Sequence, residues 1–276
     1  MPPVRRVPVV GLLLQILLLS CLAATTGLGA GGWLAGLTVG LGTYALLSRA
    51  GAATRREVGT CREAGTRREM GARSEMGARR ELGALEWAFG PADWVTLVRV
   101  TLVGSVTALV AEAGLARGVA AQPVGPLVAI TTVALILDFV DGQVARHTGS
   151  ATRRGGRFDM EVDAFLILVL SIHVSSQIGA WVLAIGLMRY AYWAASAGLP
   201  WLDSPVPPRY WRKVVAAIQG VTLTVAAADL VPHAITTAAV ACALALLAES
   251  FGRDIAWQWR RRAHQIGLPI ASRRQP

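Results

Sequence analysis

Apolar runs of roughly 20 residues, the length needed to cross a hydrocarbon core, recur along this chain, separated by short segments that carry arginine. Such a chain cannot hide its apolar surface against itself and still present an ordinary aqueous exterior, so its sequence implies a membrane as solvent. Composition agrees: 54% of the 276 residues are hydrophobic and 16% are charged, against about 25% charged in ordinary soluble domains. Stretches such as Val133-Ala134-Leu135-Ile136-Leu137 do not alternate as the strands of a membrane β-barrel do. The expected fold class is an all-α integral membrane protein, with a six-helix transmembrane core and one or two extra N-terminal hydrophobic segments.

Four regions follow. Residues 1–48 are the hydrophobic N-terminus, whose apolar stretch from Val9 to Leu47 is too long for one span and just long enough for two short ones hinged at Gly29-Ala30-Gly31-Gly32. Leu18-Leu19-Ser20-Cys21, behind the basic Arg5-Arg6, also looks like a lipoprotein cleavage box. Both a cleaved signal and retained spans leave the next segment on the cytoplasmic side. Residues 49–90 form an Arg/Glu linker in which 54–83 repeats with period six, from Thr54-Arg-Arg-Glu-Val-Gly to Ala78-Arg-Arg-Glu-Leu-Gly. On a helix each repeat turns by about 240°, so Val58, Met70 and Leu82 share no stripe, and a glycine per repeat outweighs the Glu-to-Arg pairs. A frayed strap near the lipid surface is expected.

Residues 91–252 are the core, with spans near 94–115, 119–140, 160–180, 182–198, 214–231 and 234–250, and 253–276 is a basic tail. If the first span starts in the cytoplasm, the inner loops hold Arg146, Arg153, Arg154, Arg157, Arg209, Arg212, Lys213, Arg253 and Arg260 to Arg262. The outer turns hold little beyond Arg117, which is the asymmetry of the positive-inside rule. That placement and anionic headgroups account for the net charge of +10 without nucleic acid. Cys21, Cys61 and Cys242 are too far apart to suggest a disulfide framework or a zinc site.

The chemistry concentrates at the inner end of the second span, in Asp138-Phe-Val-Asp141-Gly142-Gln-Val-Ala145-Arg146, followed by Gly155, Asp159 and Asp163. Four of the chain's eight aspartates lie in this window. Asp138 and Asp141 stand at i, i+3, and Asp159 and Asp163 at i, i+4, so each pair shares a helix face. Joined by a short loop, the four carboxylates converge at one membrane rim, where they would repel one another unless neutralised. Mg²⁺ or Mn²⁺ suits such oxygen donors and in turn binds substrate phosphates. Any one aspartate could merely cap a helix or pair with a loop arginine; four ionisable groups together at the bilayer edge point to function.

This window resembles the signature of the CDP-alcohol phosphatidyltransferase family: Asp, two residues, Asp-Gly, two residues, Ala-Arg, eight residues, Gly, three residues, Asp, three residues, Asp. Asp138, Asp141, Gly142, Ala145, Arg146, Gly155, Asp159 and Asp163 fill every fixed position, a chance match of below roughly one in a million. The resemblance implies that an acceptor alcohol attacks the β-phosphorus of CDP-diacylglycerol or another CDP-alcohol and releases CMP. It implies that Asp138, Asp141 and Asp159 hold one or two divalent metals, that Asp163 completes the site as general base, and that Gly142, Ala145 and Gly155 line the CDP pocket with Arg146 near its phosphates. A homodimer in the cell membrane, with the site facing the cytoplasm, belongs to the same implication.

Weaker signals surround the motif. Thr96 and Arg99 resemble an Asn-x-x-Thr-x-x-Arg element of the family, with Asp93 in place of Asn, though a capping Asp followed by a snorkelling Arg fits equally well. Arg209, Arg212 and Lys213 are the natural partners of an acceptor phosphate, or of lipid. Gln219 could face the same cavity, and Arg189, inside the fourth span, requires a partner. Two other classes remain: a transporter using the carboxylates, disfavoured because they sit at one rim with no repeat in the other half, and a silent scaffold, disfavoured because the motif is complete.

Overall fold

The computed structural model describes residues 6–45, 91–115, 124–148, 153–203 and 210–265. The hexad repeat, Arg117, Arg209 and the chain beyond Gln265 lie outside the described residues. Among the described residues the chain is helical without strands. The helices are α1 (Arg6–Thr26), α2 (residues 30–45), α3 (Pro91–Leu115), α4 (Val124–Thr148), α5 (Arg153–Ile178), α6 (Leu183–Gly198), α7 (Tyr210–Ala228) and α8 (His233–Gln265), with 3-10 turns at Ala180–Val182 and Pro200–Asp203. Four of them are long and apolar enough to cross a membrane, over Val9–Thr26, Val95–Leu115, Asp159–Ile178 and His233–Arg262, and Val124–Val140 is a shorter apolar segment. This is the composition of an all-α membrane protein.

Two compact units divide the chain inside the continuous helix α5, between Val162 and Asp163. In the first, α3 packs against α1 and α4 and buries Leu97, Val100, Val103 and Val106. Polar contacts hold α1 and α2 to it. The hydroxyls of Tyr44 and Thr101 meet at 2.7 Å, and Gln15 donates to Ser105 at 3.5 Å. In an apolar solvent these side chains have little else to bond, so they fix which helix faces meet. The break between α1 and α2 falls at Gly27-Leu28-Gly29, just before the expected hinge. Gly27 takes φ +70, a conformation open to glycine, while Ala30 to Gly32 form the first turn of α2. The Glu112 carboxylate stabilises that turn by accepting the Gly32 N–H at 3.0 Å, a negative charge at a helix N-terminus.

In the second unit α7 and α8 form a hairpin closed by Asp229, which adopts φ +50 before Pro232. Gly186 lets α6 approach α5 closely: a methyl group there would lie 2.6 Å from the Leu168 Cα. The Tyr192 hydroxyl lies 3.0 Å from the Leu202 carbonyl and 2.9 Å from Gln258 Oε1, and Gln258 donates to the same carbonyl at 2.7 Å. These bonds tie the turn after α6 to the far end of α8, which runs as helix well past the apolar run that ends near Ser250.

Candidate metal centre

Pro91 opens α3, as a residue with no N–H to leave unpaired, and sets Thr96 and Arg99 within its first three turns. Arg99 lies in the apolar run Val95 to Val103, where an isolated guanidinium would be costly. It is 2% exposed and does not snorkel: Nη2 reaches Asp138 Oδ1 on α4 at 2.9 Å, and Nη1 pairs with Asp159 Oδ1 on α5. One buried cation thus draws together carboxylates from two helices that the motif places far apart in sequence.

Asp163 follows Asp159 by one turn of the same helix. Carboxylate oxygens of Asp138, Asp159 and Asp163 all lie within 4.8 Å of one another, each residue half-buried. Asp141 stands one turn beyond Asp138 on α4; its side chain, like those of Ala145 and Arg146, lies outside the described residues. Gly142 continues the same helix and Gly155 sits in the first turn of α5. Both helices run beyond the apolar segments, so the aspartates lie inside helices: α4 continues to Thr148 and α5 begins at Arg153. Gln143-Val-Ala-Arg146 sustains helix despite Gly142, because leaving the apolar core changes the solvent and not the backbone bonding.

The donor set fits a hard divalent cation. Octahedral Mg²⁺ at about 2.1 Å spaces its ligand oxygens roughly 3 to 4.2 Å apart, so three oxygens within 4.8 Å need move by about an ångström or less. All donors are carboxylate oxygens, the ligands that favour Mg²⁺ or Mn²⁺ over softer metals.

Other expected site residues fall elsewhere. Thr96 is half-buried and engaged in an interaction. Arg212, in the first turn of α7, pairs with Asp254 Oδ2 at 2.6 Å, while its buried Nε has no hydrogen-bond partner; Lys213 is exposed. Gln219 is 1% exposed and donates to the Ala243 carbonyl at 2.7 Å, tying α7 to α8. Its buried Oε1 has no hydrogen-bond partner. Arg189, half-buried on α6, is likewise engaged. The residue whose weight the sequence understated is Arg99, and its signal was a lone charge within an apolar run.

A family model described as CDP-alcohol phosphatidyltransferase matches residues 90–248. No curated protein and no solved structure matches the chain significantly. The match begins at the residue before α3 and encloses Arg99 and all four aspartates of the motif.

Proposed function

This chain belongs to the CDP-alcohol phosphatidyltransferase family, and from that premise we propose that it moves a phosphatidyl group from CDP-diacylglycerol to the hydroxyl of an acceptor alcohol in phospholipid synthesis. Membership makes it a transferase of phosphate-containing groups that acts on a CDP-alcohol and an alcohol, in a family that uses divalent metal ions. The observation that carries the reading further is the gathering of Asp138, Asp159 and Asp163 around the buried Arg99.

In the proposed reaction the acceptor oxygen bonds to the β-phosphorus, the bond from that phosphorus to the bridging oxygen breaks, and CMP leaves with that oxygen. Asp163 takes the acceptor's proton, which requires only hydrogen-bond reach of the hydroxyl. Asp138, Asp141 and Asp159, with Asp163, would hold Mg²⁺ or Mn²⁺, which when bound neutralises the pyrophosphate and the charge on the leaving CMP. Arg99 acts as a positioning residue, fixing Asp138 and Asp159 to a common centre. Gly142, Ala145 and Gly155 are assigned to the cytidine nucleotide, and Arg146 and Thr96 to its phosphates, as the family signature implies. Positioning and electrostatics supply most of the acceleration, as in phosphoryl transfer generally. Arg212 and Lys213, with Arg209, are assigned to an acceptor phosphate. Six core helices cross the cell membrane with the site on the cytoplasmic side, and the protein acts as a homodimer.

The acceptor is tested with the purified chain, CDP-diacylglycerol and Mn²⁺, by measuring CMP release with glycerol 3-phosphate, inositol 1-phosphate, inositol, serine and phosphatidylglycerol in turn. Release with one phosphate-bearing acceptor, lost in Arg212→Gln, supports the full assignment. Release only with an uncharged acceptor removes the role given to the basic residues. Silence throughout, with folded protein, removes CDP-diacylglycerol as donor.

A further inference from the structure

The far end of α8 carries chemistry that phosphotransfer does not use. Its 33 residues extend about 50 Å at 1.5 Å per residue, while a hydrocarbon core is about 30 Å thick. A helix entering at His233 therefore carries its last dozen residues through the headgroup layer. That stretch holds Trp257, Trp259 and three successive arginines. The Arg261 guanidinium lies 4.6 Å from the centre of the Trp257 ring, and that of Arg262 lies 5.6 Å from Trp201 and 5.8 Å from Trp259.

The cluster is tertiary and not a by-product of one helix. Trp201 comes from the 3-10 turn after α6 and meets Trp259 edge to face, ring centres 5.5 Å apart, and the Gln258 bond to Leu202 holds that turn in register. The acidic side chains of the same stretch are committed elsewhere, Glu249 to Arg253 and Asp254 to Arg212. Among the described residues Arg260 to Arg262 have no carboxylate partner, at the depth where anionic headgroups lie.

We propose that Trp201, Trp259, Arg261 and Arg262 form a site for the phosphate headgroup of an anionic bilayer phospholipid, separate from the donor and acceptor of the transfer reaction. Indoles settle at the headgroup level because one edge is apolar and the other can donate a hydrogen bond. A guanidinium stacked on an indole keeps its N–H fork free and oriented, and that fork matches a phosphate. Basic residues just outside a membrane helix attract anionic lipid through the surface potential. The site does not depend on the aspartate centre and stands or falls without it.

The test uses the full chain in zwitterionic nanodiscs and follows quenching of tryptophan emission by phosphatidylglycerol brominated on its acyl chains, against brominated phosphatidylcholine. The unmodified chain is expected to prefer phosphatidylglycerol about 25-fold, about fivefold for each of the two charges, and Arg261→Gln with Arg262→Gln to lose most of that preference. Raising salt from about 0.05 M to about 0.5 M weakens it in the unmodified chain, a readout that holds even if the double variant fails to fold. Equal quenching by the two lipids, or a preference that survives neutralisation or salt, overturns the site.

Discussion

Arg99 is the residue on which charge and burial meet. At 2% exposure it holds Asp138 and Asp159 together, so Arg99→Gln removes the cation that both carboxylates share. Removing one partner of a buried pair costs about 3–5 kcal/mol; because these aspartates are 37% and 29% exposed, a loss of about 1–3 kcal/mol is expected here. The loss should be largest in chelator and partly restored by Mn²⁺, so thermal unfolding with and without metal separates this variant from a general folding defect. Asp163→Asn is expected to lower turnover by about 10²–10⁴-fold, the range for a general base, while binding of the CDP-alcohol persists in equilibrium measurements. The gathering of Asp138, Asp159 and Asp163 was legible in the sequence because helical spacing puts Asp159 and Asp163 on one face and a short loop returns the chain beside Asp138. Arg99 was only half legible, since an apolar run shows that an embedded charge needs a partner but not which one. Gln219 was half legible for a related reason: the sequence shows a polar side chain inside a span but not that its amide nitrogen bonds the Ala243 carbonyl.

Among the helices, close approach is set by what is missing from a side chain. An alanine methyl at Gly186 would meet the Leu168 backbone at 2.6 Å, whereas one at Gly252 on α8 meets nothing within 4 Å. Gly186→Ala is therefore expected to force α5 and α6 apart and cost about 1–3 kcal/mol, while Gly252→Ala gains up to about 1 kcal/mol from helix propensity. Midpoints of thermal unfolding in one detergent should move in opposite directions. The positions of the helices could be read from hydropathy, but their ends could not. An apolar window stops where charge begins, as near Ser250, while the helix itself continues to Gln265 because its backbone bonds do not depend on the solvent outside. The hinge before α2 shows the converse: several glycines compete, Gly27 takes the positive φ, and Glu112 reaches the Gly32 N–H from a distant helix, a contact that no local pattern encodes.

For the whole molecule, alternation of spans is the organising idea, and each unit bears on it separately. In the first, the start of α3, the C-terminal half of α4 and the start of α5 meet around Arg99. In the second, the end of α6, the start of α7 and the end of α8 meet through Gln258, Tyr192, Arg212 and Asp254. With the native cysteines replaced by serine, an impermeant maleimide should label Lys213→Cys and Arg260→Cys from the face opposite to Leu230→Cys, which lies in the turn between α7 and α8 and is 87% exposed; labelling of all three from one face would break the alternation. The central claim is that the carboxylates around Arg99 hold the divalent ion that transfer requires. It is tested most directly by titrating Mn²⁺ into metal-stripped protein and following CMP release from CDP-diacylglycerol, for the unmodified chain and for Asp159→Asn with its fold verified. Release that is absent in chelator, saturates with Mn²⁺ and is lost in Asp159→Asn is the predicted result; release that proceeds in chelator, or that Asp159→Asn leaves intact, would contradict it.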